Sequence, residues 1–225
     1  MVNKIASIVA FFFALTIAEL PSAHNGNSAF GVDVSHHQGT INWEILKRQG
    51  VQFAYIKATE GGDFRDSLYD SNIDNARKAG IAAGAYHFFT FCRTARDQVR
   101  NFINAVPVSE GDLPPVVDVE FVGNCRSRPG IDTLHRELTF FIDSLRSVYG
   151  VDPVVYTTEQ FYGRYKLGEL KTHFWIRSIG RKPAYSALIW QYGVGKLNGV
   201  QKELDFNILN TAVEKLPRVT TVNDQ

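Results

Sequence analysis

Two cysteines are all that this chain of 225 residues carries. A zinc site needs more ligating side chains at closer spacing, so none is expected. In an exported chain two cysteines read as one disulfide, and Cys92 and Cys125, each just after an expected strand, are expected to be bridged on one rim, with two free buried thiols as the alternative. Charge of one sign is also scarce. The formal net charge is +1 with acids and bases interspersed, which excludes the clustered basic face of a nucleic-acid-binding domain. Long hydrophobic runs are missing too. Ile5–Ala18 gives an apolar run of about 14 residues, short of the roughly 20 that cross a bilayer. Preceded by Lys4, it reads as an export signal. Neither Thr16-Ile17-Ala18 nor Pro21-Ser22-Ala23 fits the small-x-small cleavage pattern fully, and an uncleaved anchor is the alternative. Residues 1–23 are expected to be the export segment and 24–29 a linker rich in Asn, Gly and Ser. A secreted or periplasmic protein is expected, with no stable membrane span after processing and a monomeric state. Also absent are a glycine-rich phosphate loop, a Gly-x-Ser-x-Gly elbow, a Cys/His nucleophile pattern, internal repeats and heptads. No cofactor and no metal are expected.

What is present is alternation. Phe30–Ser35, Phe53–Thr59, Ala82–Phe89, Leu113–Phe121 and Pro153–Thr158 read as strands. Helical patterns over Ile41–Gly50, Asp66–Ala79, Thr94–Ala105 and Ile131–Tyr149 separate them. The rhythm then changes. Glu159–Leu170 is only weakly helical, and His173–Ile179, Ala187–Gly193 and Glu203–Leu209 are strands with little helix between them. Strand–helix alternation predicts a parallel sheet with right-handed crossovers. Eight strands allow closure into a barrel with its site at the C-terminal strand ends. The chain is too short for eight full helices, so an α/β barrel with about five helices and a compressed last third is expected. An open doubly wound sheet is the runner-up. A frayed tail is expected over 211–225.

The stretch Leu113-Pro114-Pro115-Val116-Val117-Asp118-Val119-Glu120-Phe121 organises the chemistry. The prolines suit a strand entrance and the valines an extended chain. Asp118 and Glu120 then project from one side, roughly 6.6 Å apart along the strand. Two carboxyls that close influence each other's protons: one can remain a donor while its neighbour stays ionised. A solvated strand end is the commoner fate of a single Asp-x-Glu. Asp33 and Asp205, however, also fall near strand ends, and a barrel would bring all four acids to one mouth. Such a cluster suits either hydrolysis of a glycosidic bond or a hard divalent cation. Aromatics near strand ends (Tyr86, Tyr156, Trp175 and Tyr192) favour sugar, although core packing is the plainer role for any one of them. His36 and His37 read as loop residues, and His87 as a satisfied barrel histidine.

Seven stretches in this order resemble the lysozymes of glycoside hydrolase family 25: Gly31–Gly39, Phe53–Gly61, Gly84–Phe88, Val117–Glu120, Val155–Thr157, Trp190–Tyr192 and Leu204–Asn207. The likeness runs from about Phe30 to Leu209. It implies a single-domain irregular TIM-like (β/α)5(β)3 barrel over 30–210. It also implies cleavage of the β-1,4 bond between N-acetylmuramic acid and N-acetylglucosamine in bacterial peptidoglycan. By position, the resemblance gives Glu120 the role of general acid and Asp118 that of assisting the reacting centre, with retention through the substrate's own acetamide. Asp33 and Asp205 become supporting acids, and Tyr86 and Tyr156 sugar contacts. Trp175, Gln191, Tyr192 and Glu60 are further expected substrate contacts. After Trp175 the sequence departs from the family's pattern: Ile176-Arg177-Ser178 stands where smaller, more neutral residues are expected. The alternatives are a peptidoglycan-binding protein without turnover and a barrel hydrolase of another acetamido glycan such as chitin.

Overall fold

A computed structural model describes residues 28–220; the expected export segment and most of the linker lie outside the described residues. The strands are β1 (Ala29–Val34), β2 (Phe53–Glu60), β3 (Phe64–Arg65), β4 (Ala82–Phe88), β5 (Val116–Asp118), β6 (Val154–Thr158), β7 (His173–Arg177), β8 (Ile189–Gly195) and β9 (Leu204–Leu209). The helices are α1 (Trp43–Arg48), α2 (Tyr69–Lys78), α3 (Ala95–Ala105), α4 (Ile131–Tyr149) and α5 (Glu159–Arg164). The sheet order β1-β9-β8-β7-β6-β5-β4-β2, closed by the β1–β2 pairing, makes an eight-stranded barrel with β3 appended to β2. The open doubly wound alternative is excluded by that closure.

Local chemistry sets the helix starts. Asn42 accepts from the N–H of Ile45, Thr94 from that of Asp97 and Thr158 from that of Phe161. Each side chain satisfies an orphan donor of a first helical turn. Gly150 ends α4 at φ 65°, a left-handed cap that glycine adopts without strain. The helix expected from Asp66 starts instead at Tyr69. Asp66 is occupied: its Oδ1 accepts from Leu68 N–H, and its Oδ2 from His36 N–H and from the His36 ring.

Strand alternation divides the apolar residues into two cores. Outward-facing Val32, Ile56, Val117, Val155 and Ile176 pack under the helices. Inward-facing Phe53, Tyr55, Val116, Val154, Tyr156, Trp175 and Ile189 fill the barrel. The inner core is dominated by rings, with Tyr55 and Tyr156 each against Trp175 at centroid distances of 5.2 and 4.8 Å. Room for them comes from Gly31 and Gly84. A Cβ on Gly31 would lie 2.4 Å from the Phe53 ring, and one on Gly84 would lie 2.7 Å from Tyr55.

The tail differs from the frayed segment expected. Val213, Leu216 and Val219 are buried, and Val213 and Leu216 join the inner core at the base beside Ala29 and Leu209. Backbone bonds fasten this segment to Asp112, Gly111 and Tyr149. Val213–Lys215 is a short 3-10 helix, and the buried residues recur every third position from it, a spacing too short in extent to read as an element from sequence.

Candidate active site

Eight of the expected site residues line one cleft of about 340 Å³ at the barrel mouth: Asp33, Tyr86, Asp118, Glu120, Tyr156, Trp175, Gln191 and Asp205. Register explains their convergence. Asp33 on β1 lies directly opposite Asp205 on antiparallel β9, so their side chains share a face. Asp118 pairs with Tyr156. Regular strand ends at Asp118, yet Val119 N–H still bonds to Tyr156 O at 2.9 Å, so the chain stays extended and Glu120 also enters the cleft. The Thr157 hydroxyl holds the Val119 carbonyl at 2.8 Å. Asn124 braces the next turn: its amide donates to the carbonyls of Glu120 and Phe89, and its Oδ1 accepts from Phe91 and Cys125 N–H.

The carboxyls raise one another's pKa. Burial, then the charge of Asp205, lifts Asp33 well above the usual carboxylate range, against hydrogen bonds from Asn207 (2.8 Å) and Gln191 (3.3 Å). Burial and the nearby Glu120 lift Asp118 likewise, and the Lys57 ammonium opposes them. Burial pushes Glu120 up to about 7, with Arg177 pulling it down and Asp205 pushing it up. Asp205 is raised by burial against the same arginine. Each carboxyl is thus biased towards holding its proton longer than a free acid does, by burial first and then by neighbouring acids. Asp118 Oδ1 is buried without a hydrogen-bond partner.

Three expected contacts are not open side chains of the cleft wall. Trp175 is only 2 % exposed, and its indole N–H donates to Asn207 Oδ1 at 2.9 Å; it forms the cleft floor, with no face open for stacking. Tyr192 does not line the cleft. Alternation along β8 from inward-facing Ile189 turns Gln191 into the cleft and Tyr192 outside, where it packs against Trp190 and Phe206. Glu60 does not line it either; its Oε2 accepts from Lys57 Nζ at 2.7 Å. The expected disulfide is not formed. Cys92 and Cys125 are free thiols; they meet on one rim, and a hydrogen bond with Cys125 is the main influence raising the Cys92 pKa. The Cys125 sulfur is turned towards Asn124 Oδ1 at 3.6 Å.

His87 is fully buried on the outer side of the barrel wall. The Gln98 amide donates to two backbone carbonyls, so its Oε1 faces His87 Nε2–H, and the Thr59 hydroxyl bonds to Nδ1 at 2.7 Å. Burial lowers the ring's pKa to about 3, so it stays neutral, as a structural residue does. Lys57 and Asn207 are site residues that the sequence reading passed over. Both had a signal: Lys57 shares a strand face with Tyr55, and Asn207 shares one with Asp205. Asn124 had none, because its role arises in a turn.

The family model described as Glycosyl hydrolases family 25 matches residues 32–200. Lysozyme M1 of Streptomyces globisporus is 31% identical over 207 residues, covering 83% of this chain and 69% of that protein. A solved family 25 glycosyl hydrolase from Bacillus anthracis is 37% identical with a TM-score of 0.78, covering 84% of this chain and 91% of that one. The bacterial lysozyme from Streptomyces coelicolor is 30% identical with a TM-score of 0.76, covering 84% and 94%.

Proposed function

The chain belongs to glycosyl hydrolase family 25, and from that premise we propose an exported lysozyme that cleaves the β-1,4 bond between N-acetylmuramic acid and N-acetylglucosamine. As a member it is a glycosidase of the muramidase type, acting on bacterial peptidoglycan. One observation carries the assignment of roles: Glu120 keeps a proton up to about pH 7 beside Asp118, whose inner oxygen has no partner.

Glu120 gives its proton to the glycosidic oxygen and afterwards activates water. Asp118 Oδ1 accepts from the acetamido N–H of the sugar. That bond stabilises the ionised form of Asp118 and leaves the shared proton on Glu120. The acetamido oxygen, so aligned, attacks the anomeric carbon, and the configuration is retained. Asp33, held by Asn207 and Gln191, and Asp205 set the protonation of the pair and position the ring. Tyr86 and Tyr156 contact the sugar at the cleft wall.

Digestion of purified peptidoglycan, with fragments identified by mass spectrometry, tests this. Wild type should release fragments ending in muramic acid, and Glu120→Gln should lower kcat on the order of 10²–10⁴-fold. Equal, negligible release by both proteins, with wall binding retained, would make this a binding protein. Fragments ending in N-acetylglucosamine would mean cleavage of the other bond of the same polymer, and release from chitin but not from peptidoglycan would point to another acetamido glycan. Mass determination of the mature N-terminus from culture medium tests export.

A further inference from the structure

Resting on the muramidase reading, we infer that Arg177 is a specificity residue, which receives a carboxylate carried by the glycan at the mouth of the cleft. Arg177 is the last residue of β7, and alternation points it with Trp175 into the cleft while Ile176 packs outside. Register places it between Thr158 on β6 and Gln191 on β8. Its guanidinium makes no hydrogen bond or ion pair among the described residues, whereas nearby Arg181 is engaged by Glu159. It is exposed and is the one cationic side chain in the cleft lining. Lys57 lies beneath, buried and already bonded to Glu60.

A cleft lined by four acids repels an anionic substrate unless a cation stands at its mouth. Muramic acid differs from its neighbour sugar by a lactyl ether, which carries a methyl group and a carboxyl. The cleft lining offers a counterpart for each: Arg177 for a carboxylate, and Val122, 75 % exposed, for the methyl. A guanidinium fork suits a carboxylate in two-point contact better than an ammonium does. The carboxylate is either the free lactyl group of peptide-free strands or a carboxylate of the stem peptide.

Calorimetric binding in the Glu120→Gln background separates these and does not depend on turnover. Three glycan strands serve as probes: peptide-free with free lactyl carboxyls, the same strand with those carboxyls converted to methylamides, and a peptide-bearing strand. Adding Arg177→Met should weaken binding of a carboxylate-bearing strand roughly tenfold or more, leave the methylamide strand nearly unchanged, and be partly reversed by Arg177→Lys. Loss confined to the first strand assigns the lactyl group, and loss confined to the third assigns the stem peptide. The same factor on all three, or none on any, overturns the inference, because a purely electrostatic effect on the acids does not discriminate between strands. Failure of the muramidase reading shows separately, as absence of released ends with wild-type enzyme.

Discussion

Glu120 and Asp118 sit two residues apart on one extended stretch, and the water that would let both ionise is largely kept out. Because the Glu120 pKa is raised to about 7, its acid form is complete below that pH and lost above it. The kcat/KM profile should therefore fall about tenfold per pH unit above 7, and fall also towards acid pH as Asp118, its pKa raised by burial, takes up a proton. Arg177 lowers the Glu120 pKa, so Arg177→Ala should move this alkaline limb to higher pH; a limb that stays in place would show that another group controls it. At this scale much of the site was legible. Four acids near strand ends, with the family likeness, pointed to side chains that the barrel does bring to one cleft. The positions of Tyr192 and Glu60 outside its lining, and of Trp175 at its floor, were not legible, because proximity to a strand end says nothing about which way a side chain turns or what has already engaged it.

Strands fail to alternate where they bulge. Besides the break in the β8–β9 register between Gln191 and Gly193, the β2–β4 register shifts between Lys57 and Thr59. This allows Lys57 to lie under Asp118 while Thr59 reaches His87 outside. A bulge inserts a residue without a partner and reverses the facing of the residues beyond it, and no composition signal marks it in either strand. The strands and helices themselves were readable, since the barrel strands carry β-branched or aromatic residues and α1, α3 and α5 begin with capping side chains. The close approach of rings to backbone was not. Gly84 is where that packing is tightest: an added Cβ would lie 2.7 Å from Tyr55 and 2.8 Å from Leu113. Gly84→Ala should destabilise the fold by about 1–3 kcal/mol, read as a lowered urea midpoint. Its KM should rise too, because Tyr86 on the same strand face lines the cleft.

Across the whole molecule, five helices cover the first part of the barrel, and β7 to β9 close it without α-helices between them. Rhythm along the sequence was enough to foresee this, because crossover helices leave a long spacing between strands, whereas the helix-free parallel connection from β7 to β8 and the antiparallel turn from β8 to β9 are shorter. The underside was not foreseen, since its contacts join Val213–Val219 to segments far away in the chain. Leu216 is 5 % exposed there. Leu216→Ala should cost about 2–5 kcal/mol of stability in denaturant titration, with kcat of the folded enzyme unchanged; an unaltered midpoint would mean that the segment contributes little. The antiparallel course of β9 brings these facts together. Asp205 stands at its beginning, opposite Asp33, while Leu209 at its end lies by Ala29. The backbone thus leaves the reactive pole and travels to the far one before Thr220. A fluorophore, resin linker or carrier attached at Thr220 itself, whose backbone is fastened to Tyr149, would hang from the pole opposite the polymer's entrance, which makes this position a handle for immobilising the enzyme with its entrance unobstructed.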